Sequence, residues 1–286
     1  MSAHQPLRRS LGAFGGRLIP WALPLLLLTV WQVSVARGWL STRVLPAPSD
    51  IVAAAIRLGR SGELLQHMAV STARAAAGLL VGGTIGFVLG LLNGLSETGA
   101  RFLDGTLQMV RNVPHLALIP LVILWFGIDE EAKLFLVALG VFFPIYLNTY
   151  HGVRTVDAGL IEMGRAYGLS GWRFFREVIL PGALPSILVG VRYALGIMWL
   201  TLIVAETVSA QSGIGYMTMN AREFLQTDVV VLGILIYALL GKGADSGTRF
   251  LERRWLAWHP TFQSKPRRQA GAPTGPATAA SLEGAR

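Results

Sequence analysis

Long apolar stretches separated by short polar segments set the plan of this chain. A helix needs about 20 mostly apolar residues to cross a bilayer. Six stretches approach that length: residues 18–35, 71–95, 107–126, 132–150, 185–210 and 229–247. Two of them are interrupted, the third by Arg111 and His115 and the sixth by Lys242 and Asp245. Runs of this length exceed what strands or buried core segments need, so the pattern predicts an all-α polytopic membrane protein with about six transmembrane helices.

The connecting segments carry their own signals. Leu45-Pro46-Ala47-Pro48 reads as extended chain leading into a short helix over 51–58, capped by Ser49 or Asp50. After Pro260 the chain turns to Ala, Gly, Pro, Thr and Arg, a composition that cannot bury a core. We therefore expect residues 1–17 to be an N-terminal tail, 18–252 a transmembrane domain, and 260–286 a disordered tail.

Composition narrows the reading. Of 286 residues, 52% are hydrophobic and only 14% charged, far from a soluble domain. The absence of cysteine excludes disulfides, thiolate metal sites and cysteine nucleophiles. The net charge of +9 is distributed as topology signals are, which argues against nucleic acid as a partner. Arg8, Arg9 and Arg17 precede the first stretch; Arg154, Arg165, Arg173 and Arg176 lie between the fourth and fifth; Arg249, Arg253, Arg254, Lys265, Arg267 and Arg268 follow the sixth. Six crossings place all three groups on one face, which the positive-inside rule makes cytoplasmic, with both termini. Arg43, Arg57 and Arg60 fall on the opposite face, against the rule. Ser34-Val35-Ala36 offers a small-x-small cleavage site behind a basic start. Its apolar region is longer than a signal peptide's, however, and cleavage would strand the loop between the fourth and fifth stretches on the wrong side.

That loop, 153–182, holds the most informative polar segment. Glu162-Met163-Gly164-Arg165-Ala166-Tyr167-Gly168 is followed ten residues later by Val178-Ile179-Leu180-Pro181. Gly168 permits a sharp turn between two short helices, and Pro181 is expected to stop the second. The spacing resembles the cytoplasmic coupling loop of ABC importer permeases, the EAA motif. Glu162, Gly168, Leu180 and Pro181 fall in register with it, while Met163, Gly164 and Val178 depart. The resemblance implies that Glu162, Gly164, Ala166, Gly168, Leu180 and Pro181 couple the chain to a separate ATPase. An ordinary hairpin between two spans is the plainer alternative.

Within the membrane, Gly78, Gly82, Gly86, Gly90 and Gly94 recur every fourth residue and form one smooth stripe for close helix packing. Packing within one subunit is favoured over a dimer seam. A charge at bilayer depth costs at least ~2.5–3.5 kcal/mol on insertion scales, so Arg111, Asn112 and His115 should face protein or a water-filled path. They are candidates for an anion-favouring pathway, against a plainer reading in which Arg111 snorkels and Pro114 kinks the helix. Arg192 and Glu206 are further intramembrane polar candidates, about 21 Å apart along one helix and so unable to pair with each other. Glu206 needs a partner from another helix, and a structural salt bridge is its favoured role. Ser212-Gly213-Ile214-Gly215-Tyr216 forms a glycine turn, and 211–228 reads equally as a solvated amphipathic helix or the mouth of a pathway.

Catalytic constellations do not emerge. The sequence holds no Gly-x-x-x-x-Gly-Lys-Ser/Thr phosphate loop; Gly241-Lys242 has Ile236 where the first glycine belongs. His-Glu-x-x-His and Gly-x-Ser-x-Gly are also absent. A membrane-embedded enzyme would need more converging titratable groups than His115 and Glu206, and a passive channel would leave the loop without purpose.

The run from Ile179 to Val231, with Ala238–Lys242 and Leu251–Trp255, is similar to the permeases of bacterial aliphatic sulfonate importers, whose neighbours are the taurine, nitrate and bicarbonate permeases. The similarity spans about residues 20–262. It implies a type I importer permease fold in the bacterial inner membrane, assembled as a homodimer with two ATP-binding subunits and a periplasmic substrate-binding protein, and surrounded by lipid. It implies no catalytic residue, metal or cofactor on this chain, with ATP used by the partner.

Overall fold

The computed structural model describes residues 7–258, and every element among them is a helix. The expected tail at 260–286 lies outside the described residues, as do residues 1–6 of the expected N-terminal tail. The first helix, α1 (Leu7–Ala36), already begins at Leu7. A short helix α2 (Pro48–Ser61) leads through Gly62 into the long α3 (Glu63–Leu95). Then follow α4 (Glu97–Arg111), α5 (Ile119–Phe126), α6 (Glu130–Arg154) and the loop helices α7 (Ala158–Ala166) and α8 (Gly171–Phe174). The chain closes with α9 (Leu180–Ser209), α10 (Ile214–Glu223) and α11 (Thr227–Trp255).

Four of these helical stretches are long and apolar enough to cross a membrane, five if the bent third segment is one span; Pro20–Ala36 of α1 is a shorter apolar helix. The third stretch, read as interrupted and with a kink at Pro114 as its plainer reading, is bent. It breaks at residues 112–114 and bends by 78° between Gly105–Arg111 and His115–Phe126. Pro114 explains the break, because its ring disfavours helix in Val113 and it has no amide to donate.

Helix α6 is the centre of the bundle, with α3 on one side and α9 on the other. The glycine stripe sets the first contact. A Cβ on Gly82 would run into the Ala138 backbone, and one on Gly86 would lie 2.6 Å from the Phe142 carbonyl oxygen. Gly78 meets Val137, Gly90 meets Thr149 and Gly94 meets Val153, so the two helices run parallel with their backbones nearly touching. The stripe therefore packs against α6 of the same chain. On the other side Gly190 takes Asn148, Gly152 takes Ala183 and Ser186, and Gly140 takes Thr201, which makes α9 antiparallel to α6. Buried Tyr146 of α6 accepts a hydrogen bond from Asn93 Nδ2 of α3 at 2.9 Å.

Two local expectations need correction. Neither Ser49 nor Asp50 caps α2. The helix starts one turn earlier at Pro48, and Asp50 instead reaches back to accept from the Ala47 amide at 3.1 Å. Pro181 does not stop a helix either. From Gly171 the chain stays helical to Val208, through a widened turn at Phe175–Ile179 closed by the Leu180 amide on the Phe175 carbonyl. The wide turn relieves the clash a proline ring makes with the carbonyl four residues back, so the loop helix flows directly into the span.

Candidate functional site

The loop between α6 and α9 begins at Asp157, whose side chain accepts from the Leu160 amide at 3.1 Å and so caps α7. Gly168 ends that helix at φ +73°, the left-handed conformation glycine adopts without a Cβ penalty. The Leu169 amide then donates to the Gly164 carbonyl at 3.0 Å. Gly164 is buried: a Cβ there would sit 3.0 Å from Phe174 and 3.0 Å from Val178. Two of the three residues that depart from the EAA pattern, Gly164 and Val178, are thus neighbours in space, a small residue facing a larger one. Glu162 and Ala166 are exposed, Leu180 and Pro181 half-buried, and Met163, Tyr167 and Trp172 present 51%, 80% and 70% of their surface. Three large apolar side chains therefore stand exposed on an otherwise polar loop.

At the other end of the bundle lies an ionic knot in which Arg74 and Glu206 are buried and Glu130 is exposed. Arg74 of α3 grips Glu130 of α6 with two hydrogen bonds of 2.6 Å, from Nε and Nη2. Its Nη1 donates to Glu206 at 2.8 Å and to the Ser212 carbonyl at 2.6 Å, while Nη2 also reaches Ser212 Oγ at 2.9 Å. All five guanidinium donors are placed. Glu206 is 1% exposed and further accepts from Ser71 Oγ, Tyr237 Oη and the Gly215 amide, at 2.8, 2.8 and 2.9 Å. Ser71 Oγ also accepts from the Ile214 amide at 2.8 Å. The carboxylate therefore sits on the N-terminus of α10, where free amides and the helix dipole favour a negative charge. Gly213 and Gly215 are required by this approach, since a Cβ on either would collide with the Glu206 side chain. Arg74 was missed from sequence, although a charge in an apolar stretch was as visible there as at Glu206.

The structure separates the expected pathway residues into three places. Glu206 belongs to the knot. Arg192 pairs with buried Glu252 of α11 and lies 3.9 Å from Asp245. Arg111 ends α4, Asn112 caps it through its amide to the Met109 carbonyl at 3.1 Å, and His115 Nε2 lies 2.9 Å from Thr201 Oγ1 of α9. Arg111 and His115 together line a cavity of about 340 Å³ between the bend, α6 and α9. The segment 211–228 holds α10, whose Ile214, Met217 and Ala221 are buried, so it packs on the bundle rather than floating free. No cluster of three or more His, Cys, Asp or Glu suited to a metal occurs among the described residues.

A family model described as "Binding-protein-dependent transport system inner membrane component" matches residues 82–257. This chain belongs to that family of transport permeases. It is 64% identical over 249 residues to the aliphatic sulfonates transport permease protein SsuC of Escherichia coli K12, covering 87% of this chain and 95% of that one. The protein of the same name in Bacillus subtilis 168 is 47% identical over 91% of this permease and 92% of its own length. The taurine transport system permease protein TauC of Escherichia coli K12 is 38% identical, over 83% of this permease and 88% of that protein. The permease is thus a multi-pass membrane component of a binding-protein-dependent transport system, and the matched region contains α6, the loop, α9, α10 and α11.

Proposed function

We propose that this permease forms the translocation pathway of an ATP-driven importer for aliphatic sulfonates. The observation that carries the substrate is the 64% identity to an aliphatic sulfonates permease over 95% of that protein. The loop from Glu162 to Pro181 docks on a separate ATPase, through Met163, Tyr167 and Trp172 with Glu162, Gly164, Ala166, Gly168 and Leu180 setting its shape. The permease acts as a homodimer with two ATP-binding subunits and a substrate-binding protein, embedded in lipid, with the loop and both termini cytoplasmic. It hydrolyses no ATP and holds no cofactor itself. ATP binding closes the ATPases, pulls on the loops and opens the pathway outward; hydrolysis resets it inward.

Growth on single sulfur or nitrogen sources tests the substrate. A strain lacking this gene should fail on ethanesulfonate and longer alkanesulfonates, grow on sulfate, and recover with the intact gene. Failure on taurine or nitrate alone would move the substrate to that neighbouring class and refute the sulfonate assignment.

A further inference from the structure

The cavity at the bend of the third stretch differs chemically from its neighbours. Its polar wall is built by Arg111, His115, Asn148 and Tyr193, and no carboxylate lines it. Four other cavities among the described residues each contain at least one: Glu131, Glu97, Asp129 and Asp50 respectively. Among the described residues no carboxylate pairs with Arg111, an exposed residue, so its fork of donors is open to a ligand. Asn148 Nδ2 donates to the Pro144 carbonyl at 2.8 Å, and its nitrogen carries a second hydrogen. The remaining wall is apolar, with Phe143, Leu147 and Ile197. Cavities of a few hundred Å³, mostly apolar with a few convergent polar groups, are the form ligand sites take.

We propose that this cavity seats the substrate during passage, as an amphiphilic anion. The charged head lies on Arg111, with His115 and Asn148 as flanking donors, and a short aliphatic chain lies along Phe143, Leu147 and Ile197. A tetrahedral oxyanion head matches a guanidinium fork, and the apolar wall sets how long a chain passes without cost. The bend at 112–114 lies between Arg111 and His115, and both line the cavity. This inference rests on the permease reading and adds the residues that read the substrate inside the membrane.

The test is the maximal uptake rate of labelled ethanesulfonate and octanesulfonate in cells of the deletion strain, which retain the partner ATPase and binding protein, carrying each variant. Membrane abundance is followed by immunoblot. Leu147→Trp fills the apolar wall and should lower the octanesulfonate-to-ethanesulfonate rate ratio about tenfold, the scale of one badly fitted group in a pocket. That ratio does not depend on how much protein is present. Arg111→Gln should lower both rates about tenfold, as loss of a charged contact does, with Arg111→Lys, which keeps the charge but not the fork, restoring them only in part. A Leu147→Trp ratio within twofold of the parent, or full rates in Arg111→Gln at normal abundance, would overturn the site while leaving the importer intact. Absence of uptake by the parent chain itself would overturn the importer reading and this site together.

Discussion

Removing Arg74 is the sharpest test of how the bundle is held. Its side chain is 7% exposed and that of Glu206 is fully buried, so the pair is shielded from solvent screening. In Arg74→Met, Glu206 would keep its bonds from Ser71, Tyr237 and Gly215 but lose the one cation that pairs with it among the described residues. Breaking one side of a buried ion pair costs about 3–5 kcal/mol, because a charge is left uncompensated. Replacing both partners by neutral groups costs far less, since no charge is then stranded. We therefore expect Arg74→Met to lower the melting temperature of the detergent-purified protein by about 10 °C, using 2–4 °C per kcal/mol. The double variant Arg74→Met with Glu206→Gln should recover at least half of that loss. The assay is retention of the monodisperse elution peak after heating, for both single variants and the double. A double variant whose loss equals the sum of the two single losses, or an unchanged melting point in Arg74→Met, would refute the account of the knot.

Three further outcomes follow from the same geometry. Gly82→Val drives a side chain into the Ala138 backbone, and overpacking of this kind costs about 1–3 kcal/mol or more; membrane abundance should fall sharply, whereas Gly196→Ala, with nothing within 4 Å, should leave it unchanged. Gly168→Val has room but must adopt the left-handed conformation, at about 1–2 kcal/mol, so the protein should insert normally while uptake falls and ATP hydrolysis continues; unimpaired uptake would sink the coupling assignment. Arg192→Met strands buried Glu252 and should destabilise, by less than Arg74→Met because Arg192 is 40% exposed, read by the same heating assay, with Glu252→Gln in that background restoring stability.

Much of this was legible in the chain because some features report their own contacts. Glycine at every fourth position from Gly78 to Gly94 has one geometric meaning, and the structure places α6 against it. Gly168 announced a left-handed turn, and the turn is there. Other features depend on partners that local sequence does not reveal. Pro181 looked like a terminator because the widened turn before it is set by the packing of Gly164, Phe174 and Val178. The kink at Pro114 was legible in the third stretch, but the size of the bend, 78°, was not, because a proline alone does not set the angle. Glu206 demanded a partner, but Arg74 lies 132 positions away and Glu252 lies 60 from Arg192, distances only the fold can close. The cavity was half visible: Arg111 and His115 stood out as charge and imidazole in an apolar run, whereas Asn148 and Tyr193 carry no signal until α6 and α9 meet the bend.

The most direct measurement of the central claim is uptake of a labelled alkanesulfonate into liposomes holding this permease and its ATPase, with the binding protein outside and ATP inside. The account predicts accumulation that requires ATP and the binding protein and is lost in Gly168→Val at normal protein level. Uptake that proceeds without ATP, or no uptake of any alkanesulfonate by the complete assembly, would contradict it.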